Sequence, residues 1–283
     1  MSELSFEIDN VLSKYVTKPE ENVYPEELLF YGQPGSGKSY LAASAINIKT
    51  PDLSFKKGLI IDVEGSTVGV VDDPRIDIIR IDKYEHVKKD GSVDPYGKFL
   101  FLNTILSDDP KSGLFYPDNK TSYDFIIIDT LDVAQDLAIE YYTSGVVSSL
   151  RNKGGEVDGF KVWAKVADWT LSVARGLKKI DPLGILVLHD REEKLNSGAF
   201  TKRLRLSGSA KDTLAGVPDV VAYLERSNSD KGPVTTSYFS TEDNKVSKNR
   251  YGKYNIPPIA EGVDLNWFYN KIYEGRKESE GKK

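Results

Sequence analysis

Residues 32–39 read Gly32-Gln33-Pro34-Gly35-Ser36-Gly37-Lys38-Ser39 and match the pattern G-x-x-x-x-G-K-[ST] at every fixed position. No other stretch restricts the fold as strongly. The pattern works only where a strand delivers it and a helix begins on it, because backbone N–H groups must face phosphate oxygens at a helix N-terminus. Its flanks meet that demand, with an apolar run at 28–31 and a helix-compatible run at 38–48. The glycines let the backbone turn. Lys38 is expected to reach the β- and γ-phosphates and Ser39 to ligate Mg²⁺. Gly32, Gln33, Pro34, Gly35, Ser36, Gly37, Lys38, Ser39 and Tyr40 form the expected nucleotide-binding segment.

The remaining pattern agrees. Short apolar runs ("ELLFYG", "GLIIDVE", "RIDIIRI", "YDFIIIDT", "LGILVLH", "DVVAYLE" and "VTTSYFS") alternate with helical stretches expected to begin near Lys38, Asp94, Thr130 and Asp158. In the last of these, Val162, Val166, Trp169, Val173, Leu177 and Ile180 recur at three- and four-residue steps. The expected fold class is α/β, a mostly parallel twisted sheet flanked by helices. The expected organisation is a polar N-terminal arm (1–25) with one amphipathic stretch, a core (26–255) and a C-terminal extension (256–283). Segments 144–159 and 190–211 read as loops, and the charged tail "EGRKESEGKK" as disordered.

Composition narrows the function. The 283 residues include no cysteine, which excludes disulfides and thiolate metal sites and suits a cytoplasmic protein. No apolar run reaches the roughly 18 residues of a membrane span, and the start "MSELSFEIDN" lacks signal-peptide character, so no membrane partner is expected. The net charge of −5 argues against coating nucleic acid by bulk charge; DNA binding would need a local basic patch.

Asp129 ends the most apolar run about ninety residues after Lys38, where a carboxylate would hold Mg²⁺ through water. Hydrolysis also needs a group that orients and deprotonates water. In one large ATPase class a Glu follows the strand-end Asp, but here Thr130 follows Asp129. Asp62 and Glu64 close the preceding apolar run instead. Strand alternation would put both on one face, with Glu64 at the carboxyl end as the expected general base.

The P-loop, the Asp62-Val63-Glu64 run and "IIIDT" at 126–130 together resemble RecA-type ATPases over residues 26–255. The similarity is nearest to short phage-encoded RecA-like single-strand annealing recombinases. It implies a RecA-like P-loop NTPase core that binds and hydrolyses ATP with Mg²⁺. It also implies ATP sites between subunits of a homo-oligomeric ring or filament, and location in the host cytoplasm. A polar residue ending the strand after the long helix would sense the γ-phosphate; His189 stands where RecA has Gln. The segments after Asp129 and His189 would line a single-stranded DNA path. Arg151 and Lys153 would contact DNA from the first, and Lys194, Phe200, Lys202, Arg203 and Arg205 from the second. Lys248 and Arg250 would act in trans as charge-supplying fingers. A single-strand-binding or replication protein is a further expected partner.

Two other classes fit parts of the pattern. One is a nucleotide-switched helicase loader or partition-type ATPase working through protein contacts. The other is a small-molecule phosphotransferase with 190–211 as its lid. A GTPase is disfavoured, because "DNKV", "DNKT" and "YNKI" all fail the N-K-x-D motif.

Overall fold

The computed structural model describes residues 24–67, 71–195, 197–230, 232–240 and 244–281, so nearly all of the expected N-terminal arm lies outside the described residues. The seven apolar runs become strands: β1 Glu27–Gly32, β2 Gly58–Asp62, β3 Ile76–Arg80, β4 Phe125–Asp129, β5 Leu183–Lys194, β7 Val220–Ser229 and β8 Gly232–Tyr238; β6 Phe200–Leu204 forms in a segment expected to be a loop. Two short ones follow, β9 Lys248–Asn249 and β10 Ile259–Glu261. The main order is β10-β8-β7-β1-β5-β4-β2-β3. From β7 to β3 all neighbours are parallel, whereas β8 and β10 join antiparallel.

Every residue of β1, β2 and β4 is buried, as a sheet covered on both faces requires. Alternation sorts them. Leu29, Tyr31, Ile126 and Ile128 face one apolar cluster, and Leu28, Phe30, Phe125 and Ile127 face the other. Helices α2 (Gly97–Ile105), α3 (Leu131–Thr143) and α4 (Gly159–Leu177) cover the first. The second is covered by α1 (Lys38–Ala43) and by α6 (Leu265–Glu280), which follows the single-turn α5 (Ala210–Thr213). Burying one such Leu, Ile or Phe contributes roughly 1.5–3 kcal/mol. Helix α4 begins where the sequence reading placed it: the Asp158 carboxylate accepts from the Phe160 and Lys161 amides at 3.1 and 3.4 Å. Among the described residues, no helix is long and apolar enough to cross a membrane.

Three local expectations fail. The helix expected over 38–48 ends at Ala43, and a 3₁₀ turn, Ser44–Asn47, completes it. Segment 190–211 is not a loop. Strand β5 runs on to Lys194 and pairs antiparallel with β6, placing Glu192 opposite Lys202, an attractive cross-strand pair. Its outer residues are mostly charged or polar, which hides a strand when apolar residues are the signal. The charged tail is helical to Glu280. Asp264 caps α6 by accepting from the Trp267 amide at 2.8 Å, and Leu265, Phe268, Tyr269 and Ile272 are buried. Its last turns carry Arg276–Glu280 and Lys277–Glu280 pairs at 3.1 and 3.0 Å. The extension therefore belongs to the packed body.

Glu27 opens β1 with 0 % exposure, and neither carboxylate oxygen has a hydrogen-bond partner. Burial pushes its pKa up to about 8; Asp219 adds to the rise, while Lys178 and Lys248 oppose it. The fold thus prefers the neutral acid, and ionisation erodes stability as pH rises from its ordinary 4.5 towards 8. Glu27→Gln should raise stability at pH 9 by on the order of a few kcal/mol, with the gain shrinking as pH falls to 5. Urea unfolding of both proteins across that range measures it; a gain independent of pH would contradict this account.

Candidate functional site

The phosphate loop is shaped by close approaches. A Cβ at Gly32 would run into the Leu224 carbonyl oxygen of β7, and one at Gly37 would lie 2.8 Å from Thr235 Oγ1 on β8. Gly37 also holds φ at 93°, which disfavours a side chain. Lys38 is buried, and its ammonium donates to the Gly32 and Gln33 carbonyls at 2.9 and 2.8 Å. Burial lowers its pKa, against the pull of Asp129, Asp132, Asp190 and Glu64. Phosphate oxygens are stronger partners for that ammonium than the two carbonyls.

Asp129 ends β4 with 0 % exposure and no hydrogen bond to either carboxylate oxygen. Burial raises its pKa to about 6; Ser39, facing it from α1 without reaching hydrogen-bond geometry, and Lys38 oppose the rise. An orphaned buried carboxylate beside a hydroxyl suits a hard cation such as Mg²⁺. Among the described residues no cluster of three or more His, Asp or Glu could hold a metal alone, so phosphate oxygens would complete the coordination.

The acids at 62 and 64 part company. Strand β2 stops at Asp62, which is buried and accepts from the Gly65 amide at 2.7 Å, the Thr67 amide at 3.3 Å and the Thr67 hydroxyl. Asp62 therefore builds the turn, and Glu64 rides on it, 38 % exposed. The expected shared strand face does not form, because alternation ends where the turn begins.

His189 lies on β5 directly beside Gly32 of β1. Its Nδ1 is 2.9 Å from Asp132 Oδ2, its amide donates to Asp132 Oδ1 at 3.1 Å, and its Nε2 is 3.7 Å from Glu64 Oε2. The Asp132 contact holds the imidazole pKa above its ordinary value despite burial. Burial alone would raise Asp132, but the His189 hydrogen bonds and charge, with Arg205, bring it below the usual carboxylate range.

One cavity of about 580 Å³ collects Lys38, Ser39, Glu64, Asp129 and His189. Tyr40 and Thr130 also line it. Its far wall comes from the β7–β8 hairpin: the Arg226 guanidinium donates to the Gly35 carbonyl at 3.2 Å and the Thr235 hydroxyl to the Ser36 carbonyl at 3.1 Å. The sequence reading missed Asp132, Arg226 and Thr235. Asp132 carried a weak signal, an acid in the first turn after the strand-end Asp129. The other two carried none.

Lys248 and Arg250 are not brought to this cavity. Lys248 donates to the Gly216 and Pro218 carbonyls at 2.7 and 2.6 Å, and Arg250 pairs with Asp219 at 2.7 Å. Asp219 in turn binds the backbone of Glu26 and Glu27, at the opposite end of β1. Arg151 closes its own loop by donating to the Gly145 and Gly155 carbonyls at 2.8 and 2.6 Å, and Lys153 is exposed. On the β5–β6 hairpin, Lys202 pairs with Glu192 at 2.8 Å and Arg203 with Glu193 at 3.3 Å. Arg205 pairs with Asp132 and Asp136, both at 3.0 Å. Lys194 and Phe200 remain exposed, directly opposite each other.

The sequence model of a family described as an AAA domain matches residues 25–251. A comparison with curated proteins finds no match.

Lys38→Ala should cost roughly 1.5–3 kcal/mol of nucleotide affinity, the size of a hydrogen bond to a charged group. Glu64→Gln should leave affinity intact and slow turnover about 10²- to 10⁴-fold, as loss of a general base does. Equilibrium binding of a fluorescent ATP analogue and single-turnover hydrolysis read the two effects. Parental turnover in Glu64→Gln would assign the base elsewhere.

Proposed function

The chain belongs to the AAA domain family, a family of P-loop NTPases, and we propose that within it this protein is a RecA-like, Mg²⁺-dependent ATPase acting on single-stranded DNA, in annealing or strand exchange. The observation carrying this reading is the meeting of Lys38, Ser39, Glu64, Asp129 and His189 on one cavity, with β5 passing from His189 straight into an outward hairpin.

The roles follow from position. Lys38 and the loop amides grip the β- and γ-phosphates. Mg²⁺ held by Ser39 and, through water, Asp129 would screen charge developing on the phosphate oxygens. Glu64 takes a proton from the attacking water as its oxygen bonds to the γ-phosphorus and the bond to the β–γ bridging oxygen breaks. His189 donates Nε2–H to the γ-phosphate. Lys248 and Arg250, remote from their own cavity, would serve the neighbouring subunit's site in a homo-oligomer. Lys194 and Phe200 at the hairpin, with Arg151 and Lys153, would meet DNA backbone and bases.

One observation favours a second reading. Lys202, Arg203 and Arg205 are each matched to an acid of this same chain, which leaves the hairpin less basic than its sequence. That suits a nucleotide-switched helicase loader or partition-type ATPase whose hairpin meets a protein, such as a single-strand-binding or replication protein.

ATP turnover with and without single-stranded DNA at low salt separates the two. The recombinase reading expects stimulation. Equal rates together with no DNA binding would remove it while leaving the ATPase. Arg250→Ala should silence turnover, and mixing it with Lys38→Ala subunits should restore part of it if the arginine serves a neighbour. No recovery on mixing would overturn the trans role.

A further inference from the structure

Asp132 lies in the first turn of α3, 1 % exposed, and both its oxygens are committed. Oδ1 accepts the His189 backbone N–H at 3.1 Å. Oδ2 faces His189 Nδ1 at 2.9 Å and accepts from Arg205 Nη1 at 3.0 Å. A carboxylate at that distance requires hydrogen on Nδ1, so the first proton of the ring is placed there. Main chain and ring of one residue are thus held by one side chain, which fixes the direction in which Nε2 points. The Glu64 carboxylate lies 3.7 Å from Nε2, within ion-pair range but beyond hydrogen-bond distance.

That contact decides the charge of the ring. A neutral imidazole with hydrogen on Nδ1 would present a bare lone pair at Nε2 to the Glu64 carboxylate and, with nucleotide bound, to phosphate oxygens; both contacts are repulsive. Only the cation offers N–H in that direction. The charged groups facing the ring are Asp132 from α3, Glu64 from the β2 turn and Lys38 from α1, with Arg205 of the segment after β6 taking up part of the Asp132 charge from behind. Two carboxylates against one ammonium favour the imidazolium.

We propose that Asp132 is a positioning residue for hydrolysis: it keeps His189 oriented and doubly protonated, so that the ring is ion-paired with Glu64 before nucleotide binds and donates Nε2–H to the terminal phosphate afterwards. The hydrogen stays on Nε2 throughout; only its partner changes. The exchange releases the Glu64 carboxylate to take up the attacking water. Glu64 is thereby restrained in the empty site and freed by the group whose hydrolysis it promotes. This rests on the hydrolytic reading of Glu64 above.

The chain has two histidines, His86 and His189, so ring-labelled histidine gives two NMR signals, with His86 as internal reference. In the nucleotide-free parent, His189 should titrate above the ordinary imidazole value of 6.5, and higher still with a non-hydrolysable ATP analogue. Asp132→Asn should bring the His189 titration to or below 6.5 without moving His86. It should lower kcat about 10- to 100-fold, as loss of an orienting partner does, with nucleotide affinity within about threefold. Because the active ring is the cation, the alkaline limb of kcat should move to lower pH. Asp132→Glu should recover part of the loss, and Asp132→Asn added to His189→Gln should cost nothing more.

The proposal is overturned if His189 of the parent titrates at or below 6.5, a measurement that does not depend on any variant folding. A kcat loss in Asp132→Asn with an unmoved His189 titration and pH profile overturns it equally. Absence of ATP turnover in the parent would instead sink the hydrolytic reading, while the titration would still report on the Asp132–His189 pair.

Discussion

A lysine ammonium buried among carboxylates governs the active end of this molecule. Lys38 feels Asp129, Asp132, Asp190 and Glu64, and no one of these contacts would be tolerable alone in so dry a place. Isolated, the lysine would lose its proton or Asp129 would gain one, and the pKa of each is already displaced in that direction. Together they form a charged field in which each group offsets the burial cost of the others.

The field depends on strand order. Placing β5 between β1 and β4 sets His189 beside Gly32 and Val187 beside Asp129, so strands distant in sequence end at one height. Parallel strands collect their carboxyl ends on one edge, and the ligand crevice follows from that. The antiparallel β7–β8 hairpin then rises beside the P-loop and supplies the wall that carries Arg226 and Thr235. The opposite edge gathers a second charged group of Glu27, Lys178, Asp219, Lys248 and Arg250, which ties the start of β1 to β7 and β9. Two charged poles joined by an apolar sheet leave the middle free for packing.

The misread segments share a cause. The stretch 190–205 is rich in charged residues and lacks alternating hydrophobicity, so its strand character depends on cross-strand ion pairs that no window of sequence displays. The α6 tail looked disordered because its apolar stripe ends at Ile272, and the last turns rest on ion pairs and on the cap of a helix already docked. Alternation would put Asp62 and Glu64 on one strand face, but the turn after Asp62 gives Asp62 to backbone amides and leaves Glu64 partly exposed.

The sequence by itself determined the phosphate loop, seven of the ten strands among the described residues and the helix capped by Asp158, because each is written in a few adjacent residues whose chemistry permits little else. Tertiary structure alone decided that Asp132 should grip His189 from 57 residues away and that Arg226 should reach Gly35 across 191. It also decided that the basic residues after β5 should spend their charge within the chain. Those pairings depend on which strands lie side by side, and strand order is set by the packing of the whole sheet between its two layers of helices.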